Sequence, residues 1–257
     1  MIELYNDDCL NVFRQIKDES IDLFITDCPY HIISGGCTND AVKIGRYRET
    51  SGILQHRYVD NDDSITWTRQ GKLFKHNEIK FEEWLPEVYR VLKPNTHCYI
   101  MINPRNLKEL WQKAEAVGFA FQNLLVWDKG NATPNRWYMQ CYELILMLRK
   151  GKAKNINVLG TKNILRIPNI SGKKLHPTEK PAELMKILVK NSSNEGETVM
   201  DAFMGVGGVG VACKDCNRNF IGVEIDKTYF DIAKDRLEDK EDKCEVVQMS
   251  IFDFIGG

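Results

Sequence analysis

The stretch that decides the fold of this 257-residue chain reads VMDAFMGVGGVG and spans residues 199–210. Apolar residues run into a cluster of glycines, which is typical of a buried strand that turns sharply into a helix. Glycines let the backbone approach a ligand closely, and the following helix offers free N–H groups at its positive end. A second apolar run then ends at Glu224. Strand, glycine turn, helix, strand and acid is the order in which a Rossmann-like half-domain holds a nucleoside, with the acid on the ribose hydroxyls.

The glycine pattern alone leaves the ligand open. Gly205-x-Gly207-x-x-Gly210 also fits the dinucleotide pattern, which would make the chain a nicotinamide-dependent oxidoreductase. A glycine turn that binds nothing is a further interpretation. Hydride transfer with turnover of NADH would support the oxidoreductase, but that interpretation leaves the rest of the chain's motifs unexplained.

Composition predicts one large α/β domain, because 43% of the residues are hydrophobic and 28% are charged. No apolar run is long enough to span a membrane, and the first residues lack a secretory signal pattern. Eight cysteines are scattered along the chain, and Cys213-x-x-Cys216 has no second pair or matching histidine. We therefore expect a cytoplasmic protein with reduced thiols, no membrane partner and no metal site.

Charge is distributed unevenly, although the net charge is only −1. Residues 129–180 contain eleven Lys or Arg against two Glu. This predicts a face that meets phosphates, with a solvated lysine-rich loop as the alternative. Residues 31–80 are polar and lack clear periodicity over a length that is usually functional, so a lid or a recognition loop is expected there.

Strand-like apolar runs alternate with amphipathic helical segments along most of the chain. This alternation predicts a mostly parallel sheet with helices on both faces. One run, residues 21–26, ends in Asp27-Cys28-Pro29-Tyr30, and functional residues of open α/β sheets lie at the carboxyl ends of strands. An acid after a mostly apolar strand is costly unless it has partners, so Asp27 is the strongest candidate for chemistry. Strand-like runs lie at 2–6, 21–26, 98–102, 121–127, 142–148 and 246–249, in addition to the two around the glycine turn.

Together these motifs resemble the DNA amino-methyltransferases, in the circularly permuted group whose catalytic tetrapeptide precedes the cofactor motif. Asp27-Cys28-Pro29-Tyr30 is similar to the family's Asp-Pro-Pro-Tyr, and residues 203–207 match its Phe-x-Gly-x-Gly. HPTEKP, residues 176–181, resembles the segment that precedes the cofactor strand. The resemblance covers most of the chain except 31–80 and 150–174.

The resemblance implies a Rossmann-like methyltransferase fold with a seven-stranded sheet. It also implies a single catalytic domain over residues 1–257, with DNA-recognition or lid insertions at 31–80 and 130–175. Four positions depart from the family pattern. Cys28 stands in place of the first proline, Ala202 in place of the proline after Asp201, and Gly208-Val209 in place of the frequent threonines. Cys28 keeps the backbone carbonyl that the family uses but loses the fixed φ of proline, and we expect activity to be retained.

S-adenosylmethionine is the cofactor that the resemblance implies. It places the methionine end near Thr178, Lys180, Asp201, Phe203 and Gly205, with Gly207 in the same turn, the ribose on Glu224 and the adenine amine near Asp8. Simpler interpretations remain for several of these residues: Asp8 as a helix cap, Lys180 as a solvated lysine and Phe203 as core.

The implied chemistry is methyl transfer to the exocyclic amine of a flipped DNA base. The Asp27 carboxylate and the Cys28 carbonyl would accept the two N–H bonds of the amine, while Pro29 fixes the turn and Tyr30 stacks on the base. Asp in the first position resembles the adenine-N6 enzymes more often, so adenine is expected, with N4-cytosine as the alternative. RNA as the substrate and a non-catalytic nucleic-acid-binding module are less favoured interpretations.

DNA contacts are expected from the two insertions, and a restriction–modification context follows from the resemblance. Candidate residues are basic or aromatic: Arg46, Arg48, Trp137, Tyr138, Lys152 and Lys154. The oligomeric state is left open, with a homodimer as one form.

Overall fold

A computed structural model of the chain describes residues 1–29, 65–68, 71–74, 79–133, 138–170 and 179–238. Several predicted features lie outside these ranges: Tyr30, Arg46, Arg48, Trp137, Thr178 and the strand expected at 246–249.

One large sheet forms the centre of the protein. In the described residues its eight strands are β1 Ile2–Tyr5, β2 Ile21–Asp27, β5 Leu92–Ile102, β6 Ala120–Thr133, β7 Gln140–Lys150, β8 Ile164–Arg166, β9 Thr198–Asp201 and β10 Asn219–Val223. A separate antiparallel hairpin consists of β3 Ile65–Thr68 and β4 Gly71–Phe74. The order across the sheet is β1-β10-β9-β2-β5-β7-β6-β8.

The sheet is mostly parallel, as the sequence predicts. Strands β1, β10, β9, β2 and β5 pair in parallel, and only β7 runs against its neighbours β5 and β6. The expected count of seven strands is wrong for the described chain, which has eight in this sheet. The segment 150–174, where the sequence showed no strand-like run, contains edge strand β8. Three residues are too few to produce a readable periodicity.

Six helices cover both faces of the sheet in the described residues. They are α1 Cys9–Phe13, α2 Phe81–Val91, α3 Leu107–Val117, α4 Ala182–Ser192, α5 Gly208–Asp215 and α6 Lys227–Leu237. Apolar residues of α1, α2 and α3 pack in one core layer, and those of α4, α5 and α6 pack in the other. This arrangement leaves the ends of the strands for function.

Two further boundaries differ from expectation. The strand expected at 98–102 begins at Leu92, directly after α2. Residues 93–95, Lys-Pro-Asn, form an irregularity in this strand instead of a loop before it: the pairing with β2 shifts there, and Asn95 has φ +62°. In the region 31–80, where no periodicity is readable, the hairpin β3–β4 is the described element.

Candidate active site

Three acids lie at the carboxyl ends of three adjacent parallel strands. Asp27 ends β2, Asp201 ends β9 and Glu224 follows β10. Carboxyl ends of parallel strands form one edge of a sheet, and this edge is where open α/β sheets bind ligands. We call it the carboxyl edge.

The glycine turn joins β9 to α5 at this edge. Gly205 and Gly207 have φ of +51° and +78°, a backbone conformation that residues other than glycine rarely adopt. A Cβ added to Gly205 would meet nothing within 4 Å, whereas one added to Gly210 would lie 2.7 Å from Leu237 Cδ1 and 2.7 Å from Phe220 Cε1. The turn therefore has one open glycine on its surface and one that is needed for close packing beneath it.

Glu224 is fixed by the backbone on both of its carboxylate oxygens. Oε2 accepts the N–H of Gly205 at 2.9 Å, and Oε1 accepts the N–H of Asp226 at 2.8 Å. Burial raises the pKa of Glu224, and these two N–H groups partly oppose the rise. The carboxylate thus ties the glycine turn to the end of β10.

Asp201 is 3% exposed and sits between β2 and the glycine turn. Its Oδ1 accepts the hydroxyl of Thr26 at 2.7 Å and the N–H of Phe203 at 3.0 Å. Burial raises the pKa of Asp201 to about 7, although both hydrogen bonds act in the opposite direction. Thr26 is a residue that sequence reasoning missed, because nothing in a strand of buried residues distinguishes it.

Asp27 lies in a chain of alternating charges. Lys180 Nζ is 2.5 Å from Asp27 Oδ2 and 3.2 Å from Glu143 Oε2, and Lys129 Nζ is 3.0 Å from Glu143 Oε1. Burial raises the pKa of Asp27 and Glu143 adds to the rise, while Lys180 opposes it. The ammonium of Lys180, expected at the methionine end of the cofactor, thus contacts the tetrapeptide.

The rest of the tetrapeptide is partly described. Cys28 is 2% exposed, and its Sγ donates to the carbonyl of Met101 at 3.8 Å. Burial raises the pKa of the Cys28 thiol well above its ordinary value, so the thiol stays protonated. Pro29 follows at the end of the described segment. Cys28 is therefore a packed apolar residue, and a role for its backbone carbonyl stays a prediction.

Asp8 serves as a helix cap in this structure. Its Oδ1 accepts the N–H of Leu10 at 2.8 Å at the start of α1. Two residues earlier, Asn6 donates to the carbonyl of Glu224 at 2.8 Å, which brings this turn beside the ribose-binding candidate. The cap is observed, and contact with an adenine amine stays a prediction.

Phe203 packs against an aromatic cluster below the turn. Its ring lies edge-to-face with Trp84 of α2 at 5.4 Å, and Trp84 also stacks near Phe24 of β2 at 6.3 Å. Such pairs hold ring orientations more tightly than apolar contact alone. Phe203 is half-buried, so one part of its ring is held while another part faces away from the core.

Arg236 of α6 connects the cofactor turn with the segment before α4. It donates to the carbonyl of Val206 at 2.7 Å and pairs with Glu179 at 3.1 Å. Glu179 is only 10% exposed in its side chain. Neither Arg236 nor Glu143 was identified from the sequence as a site residue, because the partners of each are distant in the chain.

The candidate DNA residues separate into two groups. Tyr138 is 93% exposed and lies before β7, next to the carboxyl edge, because Leu144 pairs with Ile102. Lys152 and Lys154 follow the other end of β7, where Lys150 pairs with Thr96. They lie at the opposite edge of the sheet from Asp27, and their contact with DNA stays a prediction. Arg166 is a further basic residue on the carboxyl side, and it is absent from the candidate DNA residues. It lies on β8 in register with Asp128, and its side chain is 83% exposed.

None of the helices described is long and apolar enough to cross a membrane. Within the same residues, no group of three or more His, Cys, Asp or Glu side chains could hold a metal ion.

The fold and this edge define a Rossmann-like α/β protein in which a glycine turn lies beside a segment that begins with an acid, Asp27. Residues 21–235 match the family of N6/N4 methyltransferases described as DNA methylase. Because the match spans most of the chain, this protein belongs to that family of DNA amino-methyltransferases, which use S-adenosylmethionine.

Individual relatives are similar in sequence, and solved structures are similar in fold. The Type II methyltransferase M2.DpnII of Streptococcus pneumoniae is 28% identical, over 91% of this chain and 89% of that protein. M.HpaI of Haemophilus parainfluenzae, also a Type II methyltransferase, is 29% identical over 90% and 73%. The crystal structure of an M1.HpyAVI–SAM complex matches with a TM-score of 0.65 at 28% identity, covering 92% of this chain and all of that one. The cytosine-N4-specific PvuII DNA methyltransferase, at 17% identity and a TM-score of 0.68, shares the fold.

Proposed function

We propose that this protein transfers a methyl group from S-adenosylmethionine to the N6 amine of adenine in DNA. The observation that carries the proposal is the position of Asp27, at the end of β2 and beside the strand that leads into the glycine turn. An acceptor for the target amine and a turn for the methyl donor thus share one edge of the sheet.

The residues around the turn suit the methyl donor. Gly205 borders open space, so a ligand can approach the backbone there. We assign the ribose to Glu224 and the methionine end to Asp201, Phe203, Gly205, Gly207 and Thr178. Asp8 is assigned to the adenine amine, which the hydrogen bond between neighbouring Asn6 and the Glu224 carbonyl supports.

The tetrapeptide prepares the amine for attack. When bound, S-adenosylmethionine supplies an electrophilic methyl group on sulfur, so that the amine nitrogen forms the new N–CH₃ bond, S-adenosylhomocysteine leaves and the nitrogen releases one proton. Asp27 and the Cys28 carbonyl accept the two N–H bonds and stabilise the positive charge that forms on nitrogen. Pro29 fixes the turn, and Tyr30 stacks on the flipped base.

DNA contacts are assigned to residues near the carboxyl edge. Tyr138 is an exposed aromatic residue there, with Trp137 beside it in sequence, and Arg166 adds a positive charge. Arg46 and Arg48 belong to the insertion 31–80, which we assign to DNA recognition together with part of 130–175. Residues 1–257 then act as one catalytic domain with two insertions, which the single large sheet supports.

A homodimer is the assembly that we propose. Exposed Ile164 on edge strand β8, with Val158 and Leu159 close in sequence, offers an apolar area for a second copy. Light scattering at micromolar concentration tests it, and a monomer mass would exclude it.

The test of function is direct identification of the product. The protein is incubated with an unmethylated duplex library and isotopically labelled S-adenosylmethionine, and the DNA is digested to nucleosides for mass spectrometry. We expect labelled N6-methyldeoxyadenosine from the wild type, none from Asp27→Ala, and the wild-type amount from Asp231→Ala, which removes an exposed carboxylate of α6. Labelled N4-methyldeoxycytidine would keep the mechanism and change the base, whereas a wild type that binds the cofactor and leaves DNA unlabelled would contradict the proposal.

A further inference from the structure

The buried charges beside Asp27 carry an inference about Lys180, which rests on the proposed role of Asp27 as the acceptor for the amine. Lys180 precedes α4, yet its ammonium lies against the end of β2 and the start of β7. Its side chain is only 11% exposed. A largely buried lysine that contacts two carboxylates indicates a specific role, which a solvated lysine at the start of a helix does not.

The hydrogen bond from Lys180 makes the two carboxylate oxygens of Asp27 different from each other. Nζ lies 2.5 Å from Oδ2, whereas no hydrogen bond from the described part of the chain reaches Oδ1. A carboxylate held on one oxygen has a fixed orientation and keeps the other oxygen for an incoming N–H. The arrangement thus leaves Oδ1 of Asp27 to accept one N–H of the target amine.

Glu143 and Lys129 extend the ion pair into a chain. Glu143 places one oxygen on Lys180 at 3.2 Å and the other on Lys129 at 3.0 Å. Burial alone would raise the pKa of Glu143, but the two lysines outweigh it and lower the pKa. Glu143 is therefore charged, and it is the second carboxylate that contacts the ammonium of Lys180.

We propose that Lys180 is a positioning residue that holds Asp27 by Oδ2, keeps its carboxylate ionised and leaves Oδ1 for the target amine, while Glu143 limits the strength of this effect. The other titratable groups near Asp27 in the described residues are Asp201 and the Cys28 thiol. Neither can replace the positive charge of Lys180, so the ionisation of Asp27 depends on this lysine.

The proposal predicts opposite effects for two substitutions. Lys180→Met removes the cation that lowers the pKa of Asp27, so this pKa rises. Glu143→Gln removes an acid of nearly the same shape, so the pKa of Asp27 falls. Structural damage alone would not move one pKa in two directions. Lys180→Arg keeps the charge and should restore most of the wild-type behaviour. Lys186→Met, which breaks the outer ion pair with Asp215, is the matched control.

The measurement is a ¹³C NMR titration of aspartate carboxyl carbons in the full-length protein, with Asp27→Asn to assign the signal. Single-turnover methylation of DNA is followed over the same pH range, and S-adenosylmethionine binding is measured by calorimetry. We expect the pKa of Asp27 and the acidic limb of the rate profile to rise together in Lys180→Met and to fall together in Glu143→Gln. The Kd for S-adenosylmethionine should change less than about threefold in either, well below the tenfold that corresponds to about 1.4 kcal/mol.

Two results would overturn the proposal. The first is an unchanged pKa of Asp27 in Lys180→Met combined with a Kd for S-adenosylmethionine that weakens tenfold or more, because Lys180 would then serve the cofactor. The second is a fall in pKa in both variants. If Lys180→Met does not fold, the shift in Glu143→Gln and the recovery in Lys180→Arg decide the question. A wild type that methylates no DNA would refute the proposed function, and the NMR titration would still show whether Lys180 controls Asp27.

Discussion

The hydroxyl of Thr26 donates a hydrogen bond of 2.7 Å to Oδ1 of Asp201, joining the ends of strands β2 and β9 beneath the candidate active site. The two residues are 175 positions apart in the chain. This bond couples the strand of the tetrapeptide to the strand of the glycine turn. Its acceptor is the carboxyl group of Asp201, whose pKa burial raises to about 7.

The raised pKa of Asp201 predicts how stability changes with pH. Its ordinary value is 3.8, so between about pH 4 and pH 7 the folded protein holds a proton that the unfolded chain has lost. The free energy of unfolding contributed by this group is therefore fully present below pH 4 and falls as the pH rises, by at most about 1.4 kcal/mol per pH unit.

Asp201→Asn tests this dependence, because asparagine is neutral at every pH and can still accept from Thr26. We expect the variant to match the wild type below about pH 4 and to have the higher Tm at pH 8, without cofactor. Thermal unfolding across this range provides the measurement, with exposed Asp231→Asn as the control. If the Tm curves of the wild type and of the Asp201→Asn variant stay parallel across the range, Asp201 is ionised in the folded protein.

Glu224→Gln should weaken S-adenosylmethionine binding and also destabilise the glycine turn. Both carboxylate oxygens accept backbone N–H groups, and glutamine would turn an NH₂ group toward one of them. An unsatisfied buried donor costs about 1–3 kcal/mol. Calorimetry should show a Kd at least about tenfold higher, along with a lower Tm. Glu195→Gln, at an exposed position before β9, should leave both values unchanged.

Two glycines of the turn should respond differently to alanine. At Gly210 the new Cβ would lie 2.7 Å from Leu237 and Phe220, so overpacking should cost about 1–3 kcal/mol of stability. At Gly205 the Cβ meets open space, and the cost is the positive φ of +51°, about 1–2 kcal/mol.

The two variants differ in ligand binding, which separates packing from cofactor approach. Gly205→Ala should raise the Kd for S-adenosylmethionine more than tenfold, because the Cβ occupies the space where we place the ligand. Gly210→Ala should keep the Kd within a few-fold of the wild type once the protein is folded. Equal loss of affinity in both would argue against an approach of the ligand at Gly205.

The parts of the site that local sequence encodes could be predicted. The glycine turn, Glu224 and Asp27 each occupy a strand end that a short motif marks, and the parallel order of strands brings those ends together. The charge chain through Lys180 and Glu143 could not, because it depends on how β7 lies against β5. The direction of β7 also sets how far Lys152 and Lys154 lie from Asp27, and the sequence could not show it: an apolar run predicts a strand but not which way it runs.

That direction leads to a test of the DNA surface. Tyr138 lies next to the carboxyl edge, whereas Lys150 pairs with Thr96, five residues before Met101, the partner of Asp27 in the sheet. At about 3.3 Å per residue, the segment that carries Lys150, Lys152 and Lys154 begins roughly 16 Å from the site. Tyr138→Ala should weaken binding to duplex DNA by about 1–3 kcal/mol if its ring stacks on a base, with no change in the salt dependence.

The Lys152→Ala/Lys154→Ala double variant should bind DNA as the wild type does, because its charges lie at the far edge of the sheet. Fluorescence anisotropy at several salt concentrations measures both quantities, since each lost phosphate contact lowers the slope of log K against log salt by about one. Arg166→Ala, on the carboxyl side, is the comparison that should lower the slope. A slope that falls by about two in the lysine variant and stays constant in Arg166→Ala would move the DNA surface to the opposite edge, because only direct phosphate contacts release counterions in this way.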